Sequence, residues 1–333
     1  MARSYQFRYS AFFLFLLFLA NTGFAHKKDT LAYFSRYDNI EKIKSTVSFR
    51  PYYSIKSTSI AFINKKSSDD AVIYKAKVPS SAGLGFSYKF FYVCLSLDLP
   101  RSSESIAKYG NTKSTSLQLN IQRRHFGIKF FFRNYRQFYL SNPQDFSENW
   151  SGPNFPKRKD IRTYTFGFYN NFILSDRFSI NAVFDQSERQ KTSAGSLMLM
   201  AGGFISHLAN DSTMVPYEAK SDFPSLISYR KGTYNTIIVA PGYGYSFVKN
   251  QFSITPVIFA GSGPQLQSNK DAQTRYFRMR FPIFLNGKAA LSYNGKTFFS
   301  CISFSYERNN YPFGSSKIRK GNTTLEFATG LRF

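Results

Sequence analysis

Alternation with a period of two constrains this chain more than any other feature. Leu84, Phe86, Tyr88 and Phe90 alternate with Gly83, Gly85, Ser87 and Lys89. Val93, Leu95, Leu97 and Leu99 alternate with Cys94, Ser96 and Asp98, and Leu117, Leu119 and Ile121 with Gln118, Asn120 and Gln122. The same pattern runs through 126–133, 163–168, 178–185 and 239–247. Side chains alternate across a strand, so each segment predicts a strand with one greasy face. The opposite face decides the architecture. A soluble sandwich shows Lys, Glu and Thr to water there. Here Gly, Ser, Asn, Gln and Ala dominate, with isolated charges. Small and polar residues suit a confined lumen, which turns the Phe, Tyr and Leu faces towards lipid. The expectation is an all-β chain folded as a single antiparallel transmembrane β-barrel.

The N-terminus agrees. Residues 1–25 carry Arg3 and Arg8, an apolar run from Ala11 to Ala20, and Gly23 and Ala25 before a cleavage point. That is a cleaved signal peptide, and the run is too short to span as a helix. An uncleaved anchor is the competing reading. No Cys follows the cut, which argues against a lipoprotein. Residues 26–44 then form a polar N-terminal periplasmic segment, and 45–333 the barrel. The chain's formal charge of +25 becomes +23 once Arg3 and Arg8 are removed. Such a balance favours an anionic surface or solute, and export argues against nucleic acid. The aromatic share of 19% excludes a disordered chain. No later stretch holds eighteen consecutive apolar residues.

Thirteen strand-like segments are recognisable: 45–63, 82–90, 92–99, 114–124, 126–138, 161–173, 177–187, 195–206, 232–247, 251–261, 274–293, 297–307 and 321–333. Bacterial barrels hold an even number, so 12–14 strands are expected. Either a strand hides in 207–231 or one segment is a lumen insert. Tight links are expected around Phe91, His125, Ser175–Asp176, Lys249–Asn250 and Asn294–Gly295, the last a hairpin signal. Long polar loops are expected at 64–81, 100–113, 141–160, 207–231, 262–273 and 308–320, with Trp150 as a loop anchor. The chain ends in an alternating strand, with Leu325, Phe327, Leu331 and Phe333 on one face. A terminal Phe333 resembles the signal that the barrel-assembly machinery reads.

The stretches Val78-Pro79-Ser80-Ser81-Ala82-Gly83-Leu84-Gly85-Phe86, Gln186 to Ser196 and Asp211-Ser212-Thr213-Met214-Val215-Pro216 carry a further signal. On them the chain resembles a Bacteroidota outer-membrane family described only as a domain of unknown function, number forty-four twenty-one. The resemblance implies a barrel and an outer-membrane address. It implies no activity.

Site candidates follow from charge on inward faces. Lys89, Lys129, Arg133, Arg278, Arg280 and Arg332 are expected inside, with Asp98, Asp185, Glu307 and Glu326 to pair with them. A paired network plugs the lumen, because an unpaired buried charge is costly. An unpaired ring favours anions. Glu188 and Arg189, with Asp185 and Lys191, are either a ligand site at a barrel mouth or a salt-bridged loop tip. Cys94 and Cys301 face inwards, as a cross-lumen disulfide or as two small fillers. Ser206 and His207 are neighbours on a strand and point to opposite faces. There is no Gly-x-Ser-x-Gly, no metal-ligand spacing and no phosphate loop. The leading expectation is therefore a non-enzymatic envelope or binding barrel without a cofactor. Its partners would be outer-membrane lipids and lipopolysaccharide. A channel for small polar or anionic solutes is the first alternative, and a lipid-modifying enzyme the second.

Overall fold

A computed structural model describes residues 39–43, 47–65, 71–88, 91–123, 125–147, 150–270 and 275–333. The expected signal peptide and Lys89 lie outside the described residues. The strands are β1 (Ile40–Lys42), β2 (Val47–Asn64), β3 (Ala71–Ala76), β4 (Ser81–Tyr88), β5 (Phe91–Asp98), β6 (Lys113–Gln122), β7 (Phe126–Leu140), β8 (Lys157–Ile173), β9 (Glu188–Gln190), β10 (Ala194–Ala209), β11 (Lys231–Lys249), β12 (Phe252–Gly261), β13 (Gln265–Lys270), β14 (Arg275–Arg280), β15 (Phe284–Asn294), β16 (Phe298–Phe313) and β17 (Ser316–Arg332). One short helix, α1 (Ser103–Tyr109), joins β5 to β6.

These strands build an antiparallel transmembrane barrel. Going round the wall, β2 pairs with β17, then β16, β15, β12, β11, β10, β8 and β7 follow in order. The β2–β17 seam runs from Ser316 opposite Asn64 to Arg332 opposite Ser48, so the last strand closes on the first barrel strand. Strands β3 and β4 form one interrupted strand along β2. Strands β12 and β13 likewise form one strand along β11. Strand β14 continues into β15. Merging these pairs leaves twelve wall strands, inside the expected range. Among the described residues no helix is long and apolar enough to cross a membrane.

A lipid-facing belt surrounds the wall. Phe49, Tyr53, Ile55, Phe166, Val239, Phe247, Ile254, Ile258, Ile302, Phe304 and Leu331 all point outwards and are exposed. Towards one end of the molecule the outward positions change to Arg136, Arg162, Lys231, Arg308 and Arg319. That loop end rises above the lipid. The other end, the turn end, is closed by short connections such as Asn250, which adopts a left-handed φ of 58°.

Three expectations fail for one physical reason. The supposed loops 64–81, 262–273 and 308–320 hold strand at Ala71–Ala76, at Gln265–Lys270 and through most of the third, and β16 meets β17 at a tight turn through Gly314, φ 53°. These ladders continue above the belt, where outward residues are polar and greasy alternation stops although pairing does not. The segment 177–187 fails the other way. It alternates like a strand, yet it belongs to a twenty-residue connection, 174–193, that folds into the turn end through a wide helical turn at Asn181–Asp185. It is the lumen insert that makes thirteen segments into twelve strands, and Ser175–Asp176 opens it instead of closing a hairpin.

Candidate functional site

Both ends of the barrel are filled. At the loop end, 210–230 turns inwards. Met214, Val215, Phe223, Leu226 and Tyr229 are all buried there, against Phe62, Phe138, Phe284 and Phe313. Each fully buried apolar side chain contributes about 1.5–3 kcal/mol. Polar contacts fix the position of this plug. The Tyr74 hydroxyl donates to the Met214 carbonyl at 2.9 Å, and Arg158 donates to the Thr213 carbonyl at 2.8 Å. Arg158 also pairs with Asp160 at 2.8 Å, whose carboxylate accepts from Ser212.

At the turn end, the connection 174–193 supplies Phe178, Ile180, Ala182 and Val183, all buried. Strand β9 pairs with β1, so the N-terminal segment is tied into the same plug. Asn294 donates to the carbonyls of Ala182 and Glu188, at 3.0 and 2.9 Å. Arg332 donates to Asn294 Oδ1 at 2.7 Å, to the Gly295 carbonyl at 2.6 Å and to the Gln186 carbonyl. Its guanidinium lies 4.3 Å from the Phe299 ring centroid, a cation–π arrangement.

Between the plugs lies a band of buried polar and charged wall side chains. Arg133 and Glu307 meet across it, Nη1 to Oε1 at 3.0 Å, and Asn309 donates to the same carboxylate at 3.1 Å. Arg50 pairs with Glu326 at 2.5 Å and donates to the Phe184 carbonyl at 3.0 Å. Lys320 is buried and donates to Thr165 Oγ1 at 2.7 Å. Lys129 lies within electrostatic reach of Arg133, Lys288 and Glu307. Among inward-facing wall residues whose side chains are described, Arg50, Lys56, Lys129, Arg133, Lys288, Lys320 and Arg332 outnumber Asp98, Glu307 and Glu326. The band is therefore paired in part and cationic overall.

Sequence-expected residues divide accordingly. Lys129, Arg133, Glu326 and Arg332 stand inside. Arg278 and Arg280 do not. They share a face with Gln267 and Gln265, but among the described residues β14 is paired with β13 alone, and both residues are exposed. Glu188 is buried in the turn-end plug, where Ser179 Oγ donates to it at 2.5 Å. Arg189 faces Glu41 at 3.6 Å. The pair is neither a barrel mouth nor a loop tip. The Asp185 side chain lies outside the described residues. Cys301 is a free thiol directed at the Val183 carbonyl, 3.7 Å away, and the Cys94 side chain lies outside the described residues. Sequence reasoning missed Arg50, Lys56, Lys288 and Lys320. For Lys56 the signal was present, because it follows the outward Ile55.

Ser206 and His207 do diverge. Ser206 contacts Thr165 at 3.1 Å inside the wall, and His207 stacks on Tyr164, ring centroids 4.7 Å apart. Among the described residues no three His, Cys, Asp or Glu side chains come together as a metal site. The three stretches that carried the family resemblance also find places. One spans the break between β3 and β4, one lies in the turn-end plug, and one opens the loop-end plug.

No curated protein sequence matches the chain. Several solved structures are similar in outline. The outer membrane protease OmpT from Escherichia coli shares 8% identity, covering 87% of this chain and 97% of its own, with a TM-score of 0.34. The toluene transporter TodX of Pseudomonas putida shares 7%, covering 86% and 90%, with a TM-score of 0.30. The translocator domain of the autotransporter NalP from Neisseria meningitidis shares 8%, covering 87% and 90%, with a TM-score of 0.33. Likenesses of this depth transfer no activity. Sequence is more direct: a family model matches residues 28–333, and the chain belongs to the family described as Domain of unknown function (DUF4421).

Proposed function

We propose that this protein is an outer-membrane barrel that binds a polar or anionic group in a closed interior and does not conduct along its axis. The loop end then faces outwards and the turn end faces the periplasm. One observation carries the reading: two separate segments, 174–193 and 210–230, fill opposite ends of the same lumen with buried side chains. A general diffusion pore leaves at least one such path open. The cationic excess inside suits an anionic guest. No reaction is assigned: the serine–carboxylate contacts described above, Ser179 with Glu188 and Ser212 with Asp160, hold the plugs in place.

Purified protein in planar bilayers tests this. The expected result is little or no steady conductance. Large, strongly anion-selective channels would overturn it and establish an anion pore. Hydrolysis or acyl transfer on added lipid would overturn it in favour of an enzyme.

A further inference from the structure

Among the described residues, strands β5 and β6 approach one another without a ladder, so the hydrogen bonding of the wall is interrupted there. Strand β5 pairs with β4, from Ser81 opposite Asp98 to Tyr88 opposite Phe91. Strand β6 pairs with β7, from Lys113 opposite Arg136 to Gln122 opposite Gly127. Among the described residues no ladder joins β5 to β6. Above them the wall closes again, because β3 reaches β7 directly at Tyr74–Leu140 and Lys75–Tyr139. The gap lies inside the lipid belt. Leu95 and Leu97 on one lip are 74% and 80% exposed, and Leu117 and Leu119 on the other are 65% and 52% exposed. Two free strand edges in hydrocarbon are unstable as they stand, since each unsatisfied backbone group costs several kcal/mol. Something must satisfy them.

Behind the gap lies a cavity of 260 Å³ with Leu97 at its rim and Lys56, Ser96, Asp98, Ser114 and Ser116 within. Asp98 is engaged by Ser81, whose hydroxyl donates to it at 3.0 Å. Arg133 stands opposite Ser116 in the ladder, directly inside. A guest entering here passes from Leu side chains to the hydroxyls of Ser114 and Ser116 and the ammonium of Lys56, with Asp98 held by Ser81 and Arg133 held by Glu307 beyond them. That order of surfaces matches an amphiphile with an anionic head. The cavity has room for a headgroup, and the axial routes are closed by the plugs.

We propose that the gap between β5 and β6 is a lateral window through which a membrane lipid inserts its phosphate-bearing headgroup into the cationic interior, leaving its acyl chains against Leu95, Leu97, Leu117 and Leu119. The headgroup phosphate accepts hydrogen bonds from Ser114, Ser116 and Lys56, and its remaining oxygens, with the ester carbonyls, accept from free edge N–H groups beside the window, which acyl chains cannot do. This rests on the axially closed binding barrel proposed above.

The test uses the full mature protein reconstituted into nanodiscs of phosphatidylcholine doped with phosphatidylglycerol. Lipid retained after transfer to detergent is then counted by native mass spectrometry. About tenfold enrichment of phosphatidylglycerol over its share of the nanodisc is expected. Lys56→Glu should abolish the enrichment, and Ser116→Trp, which fills the cavity, should lower total retention. Lys317→Glu, outside the wall, should change nothing. Both test variants must keep the wild-type shift in gel mobility on boiling. If either misfolds, hydrogen exchange on the wild type replaces it. Amides of 95–98 and 114–119 should exchange fast in phosphatidylcholine and at least tenfold more slowly once phosphatidylglycerol is added. Equal retention of both lipids, or amides protected in every lipid, would overturn the window. So would displacement of the lipid by millimolar inorganic phosphate alone, which would mark a soluble-anion site. A conducting pore in planar bilayers would instead overturn the closed barrel, whatever the lipid result.

Discussion

Arg133 and Glu307 meet in a space that holds few other carboxylates, so each depends on the other. Replacing one member of a buried pair leaves an uncompensated charge, which costs about 3–5 kcal/mol. Glu307→Gln should therefore lower the urea midpoint of the barrel markedly, because Arg133, Lys129 and Lys320 lose their nearest counter-charge. The double variant Arg133→Met with Glu307→Leu should recover most of the loss. Gel-mobility shifts across a urea series measure both, and an unchanged midpoint in Glu307→Gln would show that water reaches the pair freely. How far such residues were legible follows from their neighbours. Arg332 stands between Leu331 and Phe333, and Arg133 ends the alternation set by Phe126, Ile128, Phe130 and Phe132, so their inward face is readable. Arg50 is followed by Pro51, Tyr52 and Tyr53, where two adjacent aromatics blur the period. Lys320 follows Lys317 and Arg319 and resembles loop charge. Arg278 and Arg280 show the converse error. Alternation reports which face a residue takes, but not whether strands flank it on both sides, and β14 has a ladder to β13 alone among the described residues.

At the scale of elements, the two plugs differ in how much the sequence reveals. The loop-end plug holds apolar residues scattered through a polar segment, with Met214, Val215, Phe223 and Leu226 at no regular spacing. Such burial depends on tertiary contacts with Tyr74, Phe62 and Phe313, which no local pattern encodes. The turn-end plug misleads because Phe178, Ile180 and Phe184 have strand spacing, yet the chain turns helically where Gln186 adopts a φ of 55°. Two-residue periodicity is a statement about amphipathic burial, and a segment buried among lumen side chains satisfies it without a ladder. Helix α1 was legible only in hindsight. Ser102 caps it by accepting from the Ser105 amide at 3.2 Å, Glu104 and Lys108 suit its dipole, and Gly110 ends it at φ 82°. Tyr109 then stacks on Phe155, 5.4 Å between centroids, with Trp150 beside it. Trp150 is thus a loop anchor, as its setting implied. The plugs also predict conductance. Replacing 211–229 with a short Gly-Ser link should leave conductance low, because the turn end stays shut. Replacing 177–191 alone should do the same. Removing both should open a stable pore in planar bilayers. A pore opened by either deletion alone would show that one end is sealed by something weaker than its packing implies.

The whole molecule is a ring closed by its own terminus, and that closure fixes what its ends must do. The expected signal peptide predicts that mature protein begins at His26. N-terminal sequencing checks it, and a mature chain that begins at Met1 would remove the export reading. The other end is described in full. Strand β17 lies between β16 and β2 along nearly its whole length, and the Phe333 amide donates to the Val47 carbonyl at 3.0 Å. The ring side chain itself is 70% exposed, in line with outward Phe327 and Leu331. Most of its surface is open, so its removal leaves little unfilled space among the described residues. Its contribution to finished stability is therefore small, a single terminal hydrogen bond and some lipid contact, about 1 kcal/mol. Until β17 pairs with β2, however, two strand edges stay open, and open edges invite mispairing and aggregation. A terminal aromatic on the closing strand is placed to act at that step, in contact with the assembly machinery. Phe333→Asp should sharply reduce the amount of barrel at the cell surface while the precursor is degraded in the periplasm. The fraction that does assemble should show the wild-type boiling shift and nearly the wild-type urea midpoint. Tyr217→Ala, equally exposed on the loop end, should leave surface levels unchanged. Reduced levels together with a lowered midpoint would place Phe333 in the stability of the wall, and wild-type levels would show that the terminal aromatic plays no part in assembly.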